Sequence, residues 1–348
     1  MENTKTGFKV LVVDDSAFMR KVISDVLNNL PQISAVETAS NGQSALKKVV
    51  EFAPDVITLD IEMPIMNGIE TLQEIKKIKN IPVIMCSSLT KSGAEITLKA
   101  LELGAFDFIE KPESISGDKI KNLEKNLLDK VLAAISSKGT ILKRIEPQIR
   151  PNLITPAPTG KKSKILVIAS STGGPQALKE VVPYLPEDIP AKILMVQHMP
   201  EKFTEMFAQR LDKMSKITVK EAKEGDALVR GQALLAPGNY HMTVTEKGII
   251  ALNQEPTVLG VRPCADITIA SLAKIYQKEV ICVVLTGMGH DGTLGAAAVK
   301  KYGGYCIAEH ESTCIVYGMP KSVVTSGYAD EVVPIHKIAE SIIKMVYN

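Results

Sequence analysis

Two sets of residues in this 348-residue chain have the types and positions to do chemistry, and each set falls at the ends of apolar runs. Asp14 and Asp15 follow KVLVV, Asp60 ends DVITLD, Ser87 follows PVIMC and Lys111 follows DFIE. Three carboxylates gathered at one edge repel one another unless a cation joins them. An all-oxygen donor set suits Mg²⁺, which keeps several waters and accompanies phosphate chemistry. Ser87 could then donate to a phosphoryl oxygen, and Lys111 could supply a compensating charge. In the second set, Ser170 and Ser171 follow KILVIA, His198 follows KILMVQ, and Asp291 lies just beyond VICVVL. Ser, His and Asp at the ends of three neighbouring strands would form a nucleophile, a general base and the group that orients it. Gly173 and Gly174 would let backbone N–H groups approach developing negative charge at a helix start. Simpler readings exist for single members. A strand-end Asp, or a Ser before a helix, is commonly a helix cap, and a lone His is more often a core or surface residue.

The elements that must position these residues follow from the pattern. Over the first 112 residues, continuously apolar runs alternate with amphipathic helical segments (FMRKVISDVL, GIETLQEIKKI, AEITLKALELG) at βαβ spacing, as for parallel strands covered on both faces. The alternation resumes from residue 164 with KILVIAS, PQALKEVVPYL and KILMVQH. It is interrupted over residues 217 to 262 by short strands and turns, which suggest a β-rich insertion. The expected fold is α/β: two doubly wound parallel-sheet domains, one flavodoxin-like over residues 1–125 and one Rossmann-like over 164–348. In such sheets ligands bind beyond the carboxyl ends of the strands, which is where both sets lie.

Between them, residues 126–163 carry four prolines within twelve positions (147, 151, 156 and 158), which favours an extended, semi-rigid linker. The net charge of +2 is a sum of unlike parts: −3 over residues 1–125, +6 over 126–164 and −1 over 165–348. Charge available for docking a partner therefore concentrates in the linker. The five cysteines (86, 264, 282, 306 and 314) are odd in number and form no CxxC pair, so neither a disulfide framework nor a zinc site is suggested. No run approaches the roughly 18 apolar residues of a membrane span, and no signal-peptide pattern opens the chain, so a cytoplasmic protein is expected.

In order, VVDDS, ITLDIEMPIMNG, CSS and EKP make the first domain resemble the receiver domain of two-component response regulators. The resemblance implies a phosphoacceptor at Asp60, Mg²⁺ held by Asp15 and Asp60 with Asp14 nearby, a switching pair Ser87 and Lys111, and a chemotaxis histidine kinase as phosphodonor. SSTGGPQAL, QHMPEKFTEMFAQRL, EGDALVRGQALLAPGNYHM, LTGMGHDGTLGA and STCIVYGMP make the second domain similar to the catalytic domain of the CheB family of chemotaxis protein-glutamate methylesterases. That resemblance implies Ser171 as nucleophile, His198 as base, Asp291 as its orienting carboxylate, and an oxyanion region around Thr172 and Met288. The substrates would be methyl-accepting chemotaxis receptors, demethylated with release of methanol and deamidated at glutamines, with no cofactor for the hydrolysis. The family turn usually reads G-A-S-T-G-G, where this chain has Ala169 and Ser170 before Ser171, so the neighbouring serine is a rival that alignment on STGG sets aside. His290 reads as an exposed turn residue, and the role of His241 stays open between substrate contact and structure. An unphosphorylated receiver would be expected to block the hydrolase.

Two other classes of function are disfavoured. A DNA-binding output would need a basic recognition helix, and the second domain has neither a helix-turn-helix pattern nor net positive charge, so no nucleic-acid partner is expected. A nucleotide-binding domain would show GxGxxG, and the common hydrolase elbow would show GxSxG; both are absent.

Overall fold

The computed structural model describes residues 7–88, 90–111, 117–137 and 163–347, which fall into two compact units, residues 1–144 and 145–348. In the first unit five strands, β1 (Phe8–Val13), β2 (Ile33–Ala39), β3 (Val56–Asp60), β4 (Val83–Ser87) and β5 (Asp107–Glu110), alternate with helices α1 (Ala17–Asn28), α2 (Gly42–Glu51), α3 (Gly68–Ile78), α4 (Lys91–Glu102) and α5 (Gly117–Ser136). The strands form a parallel sheet in the order β2-β1-β3-β4-β5. Their apolar runs are buried because helices cover both faces, with Val10, Leu11, Val12, Ile57, Leu59 and Ile84 inaccessible.

Local chemistry sets the helix starts. Ser16 accepts from Met19 N–H, and Asn67 and Glu70 form a reciprocal capping box that begins α3 just after the β3 loop. The last helix runs past residue 125, where the sequence placed the end of this domain. Leu127, Val131 and Ala134 are inaccessible, and α5 packs on α1, β3 and β5. Most of the proline-rich segment, residues 138–162, lies outside the described residues.

The second unit contains β6 (Lys164–Ser170), α6 (Gly174–Val181), β7 (Ala191–Gln197), α7 (Phe203–Met214), β8 (Thr218–Glu221), β9 (Gln232–Leu235), β10 (His241–Val244), β11 (Ile250–Asn253), α8 (Ala265–Tyr276), β12 (Val280–Val284), α9 (Thr293–Lys301), β13 (Tyr305–Glu309), α10 (Met319–Thr325), β14 (Glu331–Val333) and α11 (Ile335–Tyr347). Seven strands form a parallel sheet in the order β14-β13-β12-β6-β7-β9-β8. The β-rich stretch at 217–262 divides: β8 and β9 extend the main sheet in parallel, whereas β10 and β11 form a separate antiparallel pair. The core includes Phe203 and Phe207 of α7, both inaccessible and each contributing about 2–3 kcal/mol by burial.

In both sheets the strand order reverses at the first strand. β1 lies between β2 and β3, and β6 lies between β12 and β7. A crevice opens at such a switch point, beyond the carboxyl ends of the flanking strands. All five cysteines are buried and unpaired. Among the described residues, no helix is long and apolar enough to cross a membrane.

Candidate active site

At the switch point of the first sheet, Asp14 follows β1 and Asp60 ends β3, both buried, while Asp15 is exposed. Each of the three offers a carboxylate oxygen within 4.8 Å of the others, a hard, all-oxygen donor set that fits Mg²⁺. Lys111 Nζ bridges Asp14 Oδ2 and Asp60 Oδ2, at 2.7 Å each. Burial raises the Asp60 carboxyl to about 6; Lys111 opposes that rise and Asp14 adds to it. Burial pulls the Lys111 ammonium down, but Asp60 and Asp14 outweigh it and hold the group above its ordinary value. Among the described residues, the Ser87 hydroxyl has no hydrogen bond to the carboxylates. Its hydroxyl accepts from Thr97 Oγ1 at 2.7 Å and faces the carbonyls of Ser88 and Gly93, both at 3.3 Å. Lys111 is thus joined to the carboxylates, while Ser87 is turned toward α4.

At the switch point of the second sheet, β6 delivers Ser170 and Ser171, β7 delivers His198, and the segment after β12 delivers Asp291. The three strands are adjacent, as the sequence argument required. Ser171 does not cap α6: the N-cap is Gly173, in the left-handed region at φ +78°, with no side-chain cap. Gly173 is required twice over, since a Cβ there would also come within 2.7 Å of Ile315.

His198 Nδ1 lies 3.0 Å from Ser171 Oγ, and its Nε2 lies 2.7 Å from Asp291 Oδ2. Asp291 is buried and cannot donate when ionised, so Nε2 carries the proton and Nδ1 presents its lone pair to the serine hydroxyl.

The start of α8 holds Asp291 in place. Oδ2 also accepts from Ala265 N–H (2.6 Å), and Oδ1 accepts from Asp266 N–H (2.8 Å), Gly292 N–H (2.9 Å) and the Cys264 thiol (3.1 Å). Burial alone would raise this carboxyl, but His198 and the backbone donors outweigh it and hold it well below the usual carboxylate range. Burial and the Asp291 charge push the Cys264 thiol up to about 12, so it serves as a donor rather than a thiolate.

The rival serine is accounted for by packing. Ser170 is inaccessible and donates to Gln197 Oε1 at 2.7 Å, while Gln197 Nε2 donates to the carbonyls of Ser171 (3.0 Å) and His198 (3.1 Å). One amide therefore fastens the serine-bearing and histidine-bearing turns together. A Cβ at Gly174 would sit 2.0 Å from Gln197 Oε1, so glycine is needed beside this clamp.

Thr172 and Met288 lie on the two loops flanking Ser171, and among the described residues their N–H groups have no partner. Ser171 N–H is spent, donating to Thr286 O at 3.0 Å. The 286–288 segment runs against the serine, where a Cβ at Gly287 would come within 2.8 Å of Ser171 Cβ. His290 is exposed, as expected. His241 is inaccessible, with Nε2 3.2 Å from Pro256 O, which makes it an interior residue away from solvent.

Sequence reasoning missed Gln197 and the cradle of Cys264, Ala265 and Asp266. Gln197 had a signal, as a polar residue ending an otherwise apolar strand. The cradle had none, because its contacts join residues 25–27 positions apart.

Comparison with known proteins matches each unit to a family. The CheB methylesterase family model matches residues 166–342, and the response regulator receiver domain model matches residues 10–121. A protein-glutamate methylesterase/protein-glutamine glutaminase of Symbiobacterium thermophilum is 45% identical, covering 99% of each chain. One of Thermotoga maritima is 46% identical over 99% of this chain and 100% of its own. The crystal structure of the Thermotoga maritima CheB methylesterase catalytic domain superposes with a TM-score of 0.52 at 47% identity, covering 53% of this chain and 100% of that one.

Proposed function

Since the chain belongs to the CheB methylesterase family and carries a receiver domain, we propose that it is a protein-glutamate methylesterase, and a protein-glutamine glutaminase, acting on chemoreceptors through Ser171 under the control of phosphorylation at Asp60. The observation that carries this reading is the relay from Ser171 Oγ to His198 Nδ1 and from His198 Nε2 to Asp291.

In the mechanism, His198 Nδ1 takes the hydroxyl proton as Ser171 Oγ bonds to the γ-carbonyl carbon of a methylated glutamate. The charge on the resulting oxyanion meets the N–H groups of Thr172 and Met288. Nδ1–H then protonates the departing oxygen, the C–O bond breaks, methanol leaves and a glutamyl ester on Ser171 remains. Water adds to that ester with His198 again as base, and collapse returns the proton to Ser171 and frees the glutamate carboxylate. With glutamine the leaving group is ammonia, which depends more strongly on protonation by His198. Throughout, Asp291 keeps the proton on Nε2 and stabilises the imidazolium that forms. The ring nitrogens thus exchange the roles they have in chymotrypsin-type triads, where Nε2 faces the serine.

In the receiver, Asp60 would accept a phosphoryl group from a phosphohistidine of a chemotaxis histidine kinase. Asp14, Asp15 and Asp60 would hold Mg²⁺, which when bound offsets phosphoryl charge. Lys111 would move from the two carboxylates to the phosphoryl oxygens. Ser87 would give up its contacts with Gly93 and Ser88 to donate to the same group, and this rearrangement would relieve inhibition of the hydrolase.

The test measures methanol release from membranes bearing methylated receptors, with and without a small acyl-phosphate donor. Ser171→Ala should abolish release. Asp60→Asn should leave only the unstimulated rate, and residues 163–348 alone should exceed the unphosphorylated full chain. A Ser171→Ala protein that still releases methanol would refute the assignment, and equal rates for the shortened and full chains would refute the inhibitory role of the receiver.

A further inference from the structure

We propose that Glu309, a residue that touches neither Ser171 nor His198, is the positioning residue for the oxyanion side of the site, fixing the 286–288 segment through Thr286. The inference rests on the reading of Ser171 as nucleophile and of Thr172 and Met288 as oxyanion donors.

Glu309 ends β13 and is 1% exposed. Among the described residues it pairs with no cation. Its Oε2 accepts Thr286 N–H at 2.8 Å, its Oε1 accepts the Thr313 hydroxyl at 3.0 Å, and the Cys314 thiol faces it. Thr286 is the junction of the site. Its carbonyl accepts Ser171 N–H (3.0 Å), its hydroxyl donates to Thr172 O (3.0 Å) and accepts from Val316 N–H (2.9 Å), and Gly287 and Met288 follow it directly. Three of the four polar functions of Thr286 therefore grip the nucleophile's surroundings or the neighbouring loop, and its own N–H is held by Glu309 alone. On the opposite side Thr313 Oγ1 accepts from Ile335 N–H at 2.9 Å, which ties the carboxyl to the start of α11. An acid this deeply buried and met by neutral donors is costly to keep unless its acceptor oxygens are needed.

The titratable group facing Glu309 is Cys314, whose thiol is pushed above its ordinary range by burial and by Glu309 itself. Burial raises the Glu309 carboxyl to about 7, and the bonds from Thr286, Thr313 and Cys314 only partly offset it. Ionised, the carboxylate accepts from Thr286 and Thr313 together. Protonated, it must donate on one side, and Thr313 can turn its hydroxyl toward His310 O, 3.3 Å away, to receive that proton. Thr286 N–H then rests on a neutral carbonyl oxygen, a weaker acceptor than a carboxylate. Glutamine reproduces that protonated pattern at every pH, with Oε1 toward Thr286 and the amide N–H toward Thr313. Leucine leaves Thr286 N–H without an acceptor.

The experiment measures kcat and KM for methanol release by the phosphodonor-activated full chain, comparing native protein, Glu309→Gln, Glu309→Leu and Ser171→Ala. Glu309→Leu should lower kcat about tenfold or more with KM within about twofold, and Glu309→Gln should recover most of the loss. The native-to-Gln ratio of kcat should change as pH crosses about 7, because only the native protein carries the Glu309 carboxyl while the rest of the site is common to both. Native kcat in Glu309→Leu overturns the inference. So does equal damage in the Gln and Leu proteins, or a loss carried by KM. If Glu309→Leu does not fold, a native-to-Gln ratio that stays flat across that range overturns it. An active Ser171→Ala protein would instead refute the underlying reading, so the two failures are distinguishable.

Discussion

Replacing Asp291 with asparagine preserves the shape of the side chain and exchanges one acceptor oxygen for an NH₂ donor, so the hydrogen bonds around it decide which way the amide turns. With nitrogen in the Oδ1 position, it would face the N–H groups of Asp266 and Gly292 and the Cys264 thiol, three donors against a donor. With nitrogen in the Oδ2 position, it would face Ala265 N–H and His198 Nε2. Each buried N–H left without an acceptor costs about 1–3 kcal/mol, so the second orientation, which strands one backbone N–H rather than two, wins by about that amount. His198 accommodates it by accepting at Nε2 and carrying its proton on Nδ1. That proton then points at Ser171 Oγ, 3.0 Å away, where the proposed mechanism needs a lone pair. The protein should bind substrate normally and lose kcat by about 10⁴, the size of the same change in serine-protease triads. The checks are methanol release from methylated receptor membranes and the ¹⁵N shifts of His198, which report the protonated nitrogen. A loss of less than about tenfold, or a proton still on Nε2, would refute the reasoning.

Three further outcomes follow from the same geometry. Ser170→Ala removes one hydroxyl donor from Gln197 and should cost about 1 kcal/mol in a denaturant melt while methanol release stays close to native. Gly174→Ala drives a Cβ to 2.0 Å from Gln197 Oε1 and 2.8 Å from Ser170 Cβ, so it should cost about 1–3 kcal/mol in a thermal melt and reduce kcat together with stability. Glu309 has a folded value of about 7 against an ordinary 4.5, so the native state binds that proton more tightly than the unfolded chain. Its contribution to stability therefore increases as pH falls from about 7 toward 4.5, and above 7 the ionised group carries a constant penalty. Glu309→Gln should accordingly be the more stable protein at alkaline pH, by up to about 3 kcal/mol, with the gap closing in acid; urea melts on either side of neutrality measure it.

The residues that reach the two sites were largely visible in the sequence because they end strands. A continuous apolar run that stops at Asp60, Ser171 or His198 marks the carboxyl edge of a parallel sheet, and parallel sheets bind ligands at that edge. Adjacency of β12, β6 and β7 was the missing condition, and it depends on crossover connections that periodicity does not encode. The supporting contacts were not visible for a related reason. Asp291 is held by the start of a helix 25–27 positions earlier, and Glu309 grips a residue 23 positions before it. The orientation of Ser87 toward Gly93 rather than Asp60 was equally hidden, since a strand-end hydroxyl can rotate to either side. Residues 217–262 show the limit for strands themselves. β8, β9, β10 and β11 have four residues each, too short for alternation to tell a sheet edge from a separate hairpin, and only pairing sorts them.

Burial of all five thiols has a practical consequence. A thiolate must reach solvent to react with a maleimide or a disulfide reagent, and no native cysteine side chain of the folded chain does. A single cysteine introduced at an exposed position such as Ile65, which is 72% accessible, would therefore take up a fluorophore or spin label one to one without first stripping the interior of its sulfur. The receiver could then be watched optically as a phosphodonor is added and removed, in a protein whose core and candidate active site are otherwise native.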